Sequence, residues 1–145
     1  MLGLVLLFGC SRRPKNVVRV KGRVTLGGQP LSGATVTFTP KGEGSASRGF
    51  TNENGEYALN YAVGVDGAVI GEHIVSITTH RPGDPDAKPP IPDVPEKVPY
   101  KYRTGPDQLK ATVEKKGENV IDFTLEAGPI EPPQPKGKGK GAKKK

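Results

Sequence analysis

Residues 17–26 read VVRVKGRVTL, a segment in which Val18, Val20, Gly22, Val24 and Leu26 alternate with Arg19, Lys21, Arg23 and Thr25. A side-chain period of two puts one set on each face of an extended backbone, so the segment is a half-buried strand. Val and Thr add to this, because their branched β-carbons restrict χ1 in a helix and pack well on a pleated surface. The pattern then recurs down the chain. GGQP at 27–30 breaks the first strand, and GATVTFTP at 33–40 turns Ala34, Val36 and Phe38 inward and Thr35, Thr37 and Thr39 outward. Pro40 closes that strand, since it has no N–H for a ladder.

After the flexible crossing KGEGSAS, the segments RGFTN and EYALNY flank ENG, where Asn54 and Gly55 offer the positive φ of a tight hairpin. Tyr57 and Leu59 share one face. GEHIVSITTH at 71–80 sets His73, Val75 and Ile77 against Ile74, Ser76 and Thr78. LKATVEK and NVIDFTLE alternate through Leu109, Ala111 and Val113, then Ile121, Phe123 and Leu125, around KGEN. These last two predict a closing hairpin. Seven short strands with no helical segment predict an all-β fold, a seven-stranded antiparallel Greek-key sandwich.

The 145 residues suffice for one domain with tails. The sandwich is expected over residues 17–126. Residues 81–108 hold eight prolines and no apolar run, and read as a long ordered excursion or a mobile loop without a helix. Residues 127–145, Pro-rich and then Gly/Lys-rich, have nothing to bury and are expected to be disordered.

The net charge of +7 suggests nucleic acid until it is located. Lys136, Lys138, Lys140, Lys143, Lys144 and Lys145 lie in the last ten residues, and the other 135 hold 16 basic and 15 acidic side chains. The expected sandwich is therefore close to neutral. The lysines are candidate contacts for a polyanion, with counterion release as the driving force. No aromatic residue accompanies them for base stacking, so specific nucleic-acid recognition is not expected. Lipid headgroups or wall polymers fit better, at about 1 kcal/mol per lysine near an anionic surface. A merely solubilising tail is the alternative.

Leu2 to Gly9 form an apolar run of eight that ends at Cys10, the single cysteine. Eight residues do not span a bilayer, which requires roughly 20. The run fits a first strand, or the hydrophobic region of a secretory signal cut at a small residue. Leu7, Phe8, Gly9 and Cys10 resemble the lipobox of bacterial lipoproteins, in which the chain is cut between Gly9 and Cys10 and the thiol receives a diacylglycerol group. No Lys or Arg precedes the run, whereas Arg12, Arg13 and Lys15 follow it. Positive charge there opposes export.

VKGRVTLGGQPLSGATVTFTP, TNENGEYAL and GEHIVSI together resemble the carboxypeptidase regulatory-like domain, a transthyretin-like (prealbumin-like) sandwich. The matching positions are Gly22, Val24, Gly28, Gln29, Pro30, Leu31, Gly33, Ala34, Val36, Thr51, Gly55 and Tyr57. With PEKVPYKY and LKATVEKKGENVIDFTL, the chain is similar to small planctomycete-type lipoproteins of this class. The resemblance implies an accessory domain with no peptidase chemistry and no cofactor. It also implies residues 1–9 as a signal peptide, Cys10 as a lipidated new N-terminus, residues 10–16 as a tether, and a place at the periplasmic face or cell surface.

His73 and His80 have opposite strand parity and cannot share a metal, and His73 is expected to pack in the core or at its rim. Asn52, Glu53, Asn54 and Glu56 bunch together as calcium ligands would, but such residues also close turns on their own backbone. The pairs Asp84 with Asp86 and Glu114 with Glu118 lack an apolar pocket to separate their pKa values. A Lys–Asn isopeptide bond would need a buried Lys, and Lys21 falls on the polar face while Asn119 falls at a turn. No catalytic residue and no metal ligand is predicted. The expected roles are structural or binding work at the envelope, carbohydrate or peptide binding at a loop end or edge strand, or polyanion contact through the lysines.

Overall fold

The computed structural model of the chain describes residues 14–105 and 107–132. Cys10, Gly9 and the six C-terminal lysines lie outside the described residues. The fold is all-β apart from a 3-10 turn, η1, at Tyr100–Tyr102, in the stretch expected to be free of helix. Its strands are β1 (Val17–Leu26), β2 (Gln29–Pro30), β3 (Thr35–Pro40), β4 (Ser47–Phe50), β5 (Glu56–Ala58) and β6 (Asn60–Ala62). They continue as β7 (Val65–Asp66), β8 (Ala68–Val69), β9 (Gly71–Thr78), β10 (Leu109–Val113), β11 (Glu118–Val120) and β12 (Phe123–Leu125).

Two sheets face each other across one core. The second sheet has the order β10-β9-β3-β4-β6-β7. Within it β9 returns to lie beside β3, on the far side from β4 and β6. That is the 4-1-2-3 order of a Greek key. The first sheet is built on β1, which takes β8, β5 and β2 as antiparallel partners along its length.

Three expectations are corrected here. The sandwich is not wholly antiparallel: β11 and β12 run parallel to β1, with Arg19 opposite Glu118 and Leu26 opposite Leu125. The turn around KGEN is therefore not a hairpin between paired strands. It carries the chain from β10, which pairs with β9, across to β1 in the other sheet. EYALNY is likewise two strands, because the chain switches sheets at Leu59: β5 pairs with β1, and β6 pairs with β4. Local alternation fixes which face a side chain takes but not which neighbour its strand finds, and all three differences are of the second kind.

The face assignments hold well. Val20, Val24, Ala34, Val36, Phe38, Tyr57, Leu59, Val75, Ile77, Val113, Phe123 and Leu125 are all buried in one cluster. Phe38, with no exposed surface, lies at its centre. Its ring centroid is 6.4 Å from Tyr57, 5.6 Å from His73 and 6.0 Å from Phe123. A smaller cluster of Val17, Val65 and Val69, with Tyr61 against it, packs at the start of β1.

Gly22 is required for a different reason from its place in the alternation. A Cβ there would come within 1.8 Å of the Ile121 carbonyl oxygen. The Ile121–Asp122 connection between β11 and β12 lies that close to β1, held by the Ile121 amide on the Lys21 carbonyl at 2.8 Å. Gly55, at φ 74°, makes the expected turn, while among the described residues no non-glycine residue, Asn54 included, has a positive φ.

Candidate functional site

The Pro-rich stretch after Thr78 is an ordered excursion. Arg81 pairs with Val94, and Asp84 with Ile91, as two antiparallel bridges. The loop is then fastened to the end of β9 by Glu96, whose side chain is only 10% exposed. One carboxylate oxygen accepts hydrogen bonds from the amides of Thr79 and Val98, both at 2.9 Å, and from the amide of Lys97 and the hydroxyl of Thr79, both at 3.1 Å. The other accepts from the Thr78 hydroxyl and lies 3.8 Å from the Arg103 guanidinium.

Burial would raise the Glu96 pKa. The hydrogen bonds from the Thr78 hydroxyl, the Thr79 and Val98 amides and the Thr79 hydroxyl outweigh it and lower the carboxyl from 4.5 to about 2. A carboxylate so saturated with donors is a fastening, not a general base. A folded-state pKa below the unfolded one gives stability that is present above pH 4.5 and is lost as pH falls toward 2. Glu96→Gln is expected to cost about 2 kcal/mol at neutral pH, with the partial exposure of the group already discounted. The variant is also expected to flatten the acid limb of stability in that window. Urea midpoints between pH 2 and 7 check both; parallel curves for the two proteins would contradict the assignment.

Past Glu96 the loop enters the core. Val98 and Tyr102 are buried in the main cluster, and the Tyr102 hydroxyl accepts from the Glu126 amide at 3.1 Å. The chain leaving β12 is caught in turn: the Tyr100 amide donates to the Pro129 carbonyl at 2.9 Å, and the Arg103 guanidinium donates to the Ile130 carbonyl. Residues 127–132, expected to open the disordered tail, are therefore held against the loop. Between loop and exit segment lies a mainly apolar groove of about 390 Å³, walled by Pro99, Tyr100, Thr104 and Pro129 and rimmed by Lys101, Asp107 and Glu131. Its lining is more apolar than that of the other large hollow of the surface.

A larger hollow of about 540 Å³ opens on the outer face of the first sheet at Lys21, Arg23, Asn52, Glu56, Tyr57 and Asp122. It forms where β11 and β12 separate. The Arg23 amide donates to the Asp122 carboxylate at 2.8 Å, and the Tyr57 hydroxyl donates to the Ile121 carbonyl at 2.6 Å. Lys21 pairs with Glu118 at 2.9 Å and Arg23 with Glu56 at 3.2 Å. The Asn52 side chain and Arg23 hold the Glu56 carboxyl below its ordinary pKa, while burial, aided by the Asp122 charge, pushes the Tyr57 phenol up. The hollow's charges are thus already engaged with one another.

The other residues singled out in the sequence separate. His73 is 1% exposed, packs on Phe38 and donates from Nδ1 to the Gly71 carbonyl at 3.0 Å. Burial lowers its pKa. His80 lies at the surface, 3.4 Å from Asp93. Asn52 closes its turn by accepting from the amides of Asn54 and Glu56 at 2.9 and 3.0 Å. Asp84 does the same for the Asp86 amide at 3.0 Å, and Glu114 pairs with Lys116 at 3.0 Å.

Lys21 is exposed as expected, but Asn119 is not at an open turn. It lies in β11, 2% exposed, and its amide clamps the Glu114 backbone with two bonds of 3.0 Å. No group of three His, Cys, Asp or Glu among the described residues is placed to hold a metal ion. The site residues that sequence reasoning passed over are Glu96, Tyr100, Arg103 and Pro129. For Glu96 and Tyr100 the only local signal is PEKVPYKY, in which Val98 and Tyr102 are buried while prolines hide any period.

No protein-family model matches the chain, and no curated protein matches it. Among solved structures it is similar to a 9R-lipoxygenase from Cyanothece, at 14% identity and a TM-score of 0.44, over 79% of this chain and 17% of that one. It is also similar to a DUF3823 family protein from Parabacteroides merdae, at 21% identity and a TM-score of 0.40, over 77% of this chain and 46% of that one. The chain thus spans less than half the length of either.

Proposed function

We propose that the chain is a non-enzymatic, exported lipoprotein of the cell envelope. Acyl chains on Cys10 hold it to the membrane, and its sandwich, of the carboxypeptidase regulatory-like kind that its motifs resemble, serves a structural or binding role. The observation that supports the reading is where the first strand among the described residues begins. Val17 opens β1 seven residues after Cys10, and its amide donates to the Pro14 carbonyl at 3.0 Å. A polar spacer, SRRPKN, is left between the sulfur and the first strand. Two or more acyl chains anchor stably where one binds only reversibly.

Radiolabelled palmitate fed to an expressing bacterium tests the anchor. Label is expected in the wild-type chain and absent from Cys10→Ala; equal labelling of both, or none in either, contradicts it. The groove beside Tyr100 favours a second reading, a peptide- or carbohydrate-binding module. In that case Tyr100→Ala abolishes binding on peptide or glycan arrays without unfolding the domain.

A further inference from the structure

We infer that β10 is the docking edge for a second copy of this chain, which pairs with it antiparallel about a two-fold axis at Ala111. The inference goes beyond the anchored reading and stands whether or not Cys10 carries lipid.

β10 is the outermost strand of the second sheet, and its five residues pair with β9 in unbroken register, from Leu109 with Val75 to Val113 with Gly71. In a strand the amide and carbonyl of one residue point to one side and those of the next to the other. The Lys41 amide donates to the Glu72 carbonyl at 3.0 Å, so Glu72 and Ile74 face β3, while His73 and Val75 face β10. Opposite them, Leu109, Ala111 and Val113 bond to β9, and the backbone groups of Gln108, Lys110, Thr112 and Glu114 point off the edge of the sheet.

The ends of that outward row are already engaged. The Gln108 amide donates to the Gly105 carbonyl at 3.3 Å, and the Asn119 side chain holds both the amide and the carbonyl of Glu114 at 3.0 Å. Among the described residues, the amides and carbonyls of Lys110 and Thr112 have no partner. They leave two donors and two acceptors on an open edge.

A second copy satisfies all of them at once. Run antiparallel with Lys110 opposite Thr112, the two edges close four hydrogen bonds between them, and none of these groups is left over. The two-fold axis passes Ala111, which faces its own counterpart, and half-buried Leu109 comes opposite Val113 on the inner face. The charges fit as well. Lys110 is diagonal to Glu114 of the other copy in two places, against one Lys110–Lys110 diagonal, and Asp107 is carried toward Lys115 at both ends.

Natural sheets blunt a free edge by shortness, a bulge, proline or an inward charge. β7, at the other end of this sheet, is two residues long and follows a register shift between Asn60 and Ala62. β10 is regular, free of proline, and turns Leu109, Ala111 and Val113 inward. Its one charge, Lys110, lies on the outer face, where the pairing leaves it in solvent.

Sedimentation equilibrium of the full chain under reducing conditions, from about 10 µM to 1 mM, covers the range for an interface this small. A reversible dimer is expected. Thr112→Pro removes an outward N–H that β9 does not use, at an edge position where proline is tolerated. It should weaken the dimer at least about tenfold while the urea midpoint is kept. Cross-linking reads the register. In the Cys10→Ser background, Ala111→Cys puts two thiols on directly opposed positions of a non-hydrogen-bonded pair, with Cα atoms about 4.5 Å apart and within disulfide reach. Lys110→Cys, though more exposed, puts them on a diagonal of about 7 to 8 Å. Oxidation by diamide should therefore cross-link the Ala111 variant several-fold faster.

A chain that stays monomeric throughout the range, a dimer indifferent to Thr112→Pro, or faster cross-linking of the Lys110 variant overturns the inference. A monomer that binds extended peptides on an array, and loses them with Thr112→Pro, also overturns it and assigns the edge to a peptide.

Discussion

Phe38→Ala is expected to cost about 3 to 5 kcal/mol of folding stability, the range for emptying a fully buried aromatic site. Phe38 is the ring on which the two sheets meet, with Tyr57 and Phe123 from the first sheet and His73 from the second around it. Its removal leaves Tyr57, His73 and Phe123 facing a cavity. Urea denaturation followed by circular dichroism checks this. The midpoint should fall with little change in slope, since the surface exposed on unfolding is nearly the same. A loss below about 1 kcal/mol would mean that the site relaxes and the aromatic cluster does not organise the core.

Gly22→Ala is the second large effect, although it adds only one methyl group. The new Cβ would lie 1.8 Å from the Ile121 carbonyl oxygen and 2.6 Å from its carbon, both backbone atoms of the connection between β11 and β12. No rotamer change relieves such a contact. The strand must move, and it would take with it the Tyr57 hydroxyl bond to Ile121 and the Arg23 amide bond to Asp122. Overpacking together with one or two lost hydrogen bonds amounts to about 3 kcal/mol. Thermal unfolding of the variant should shift down by about 10 °C. An unshifted transition would show that the chain at Ile121, between β11 and β12, does not approach Gly22 as described.

Both effects concern residues that the sequence had already marked, and this shows what was legible. Period-two alternation identified Phe38 and its inward neighbours on β1, β3, β9, β10 and β12, because the face a side chain takes is a local property. Partner choice is not local, so the parallel run of β11 and β12 and the change of sheet at Leu59 could not be read from it. β7 and β8 have two residues each, too few to show a period. Even so, Val65, Ala68 and Val69 are buried.

The candidate site was less legible than the fold. Glu96 looks like any solvated glutamate until Thr78, Thr79 and Val98 converge on it, and that convergence depends on the path of 17 residues from Thr79 to Pro95. Tyr100 and Pro129 line one groove only because the chain leaving β12 passes the loop. Lys21, Asn52 and Glu56 were read correctly as surface and turn residues, since their partners lie in adjacent strands or a few positions away. Asn119 was misread because a clamp on Glu114 five residues back has the same local sequence as an open turn.

The central claim, that the chain is fastened to a membrane through Cys10, is tested most directly by the intact mass of the protein extracted with detergent from the membranes of an expressing bacterium. The account predicts a chain that begins at Cys10, lacks the nine residues Met1 to Gly9, and carries the added mass of a diacylglycerol group on its sulfur. A chain that retains those nine residues with an unmodified Cys10 would contradict it.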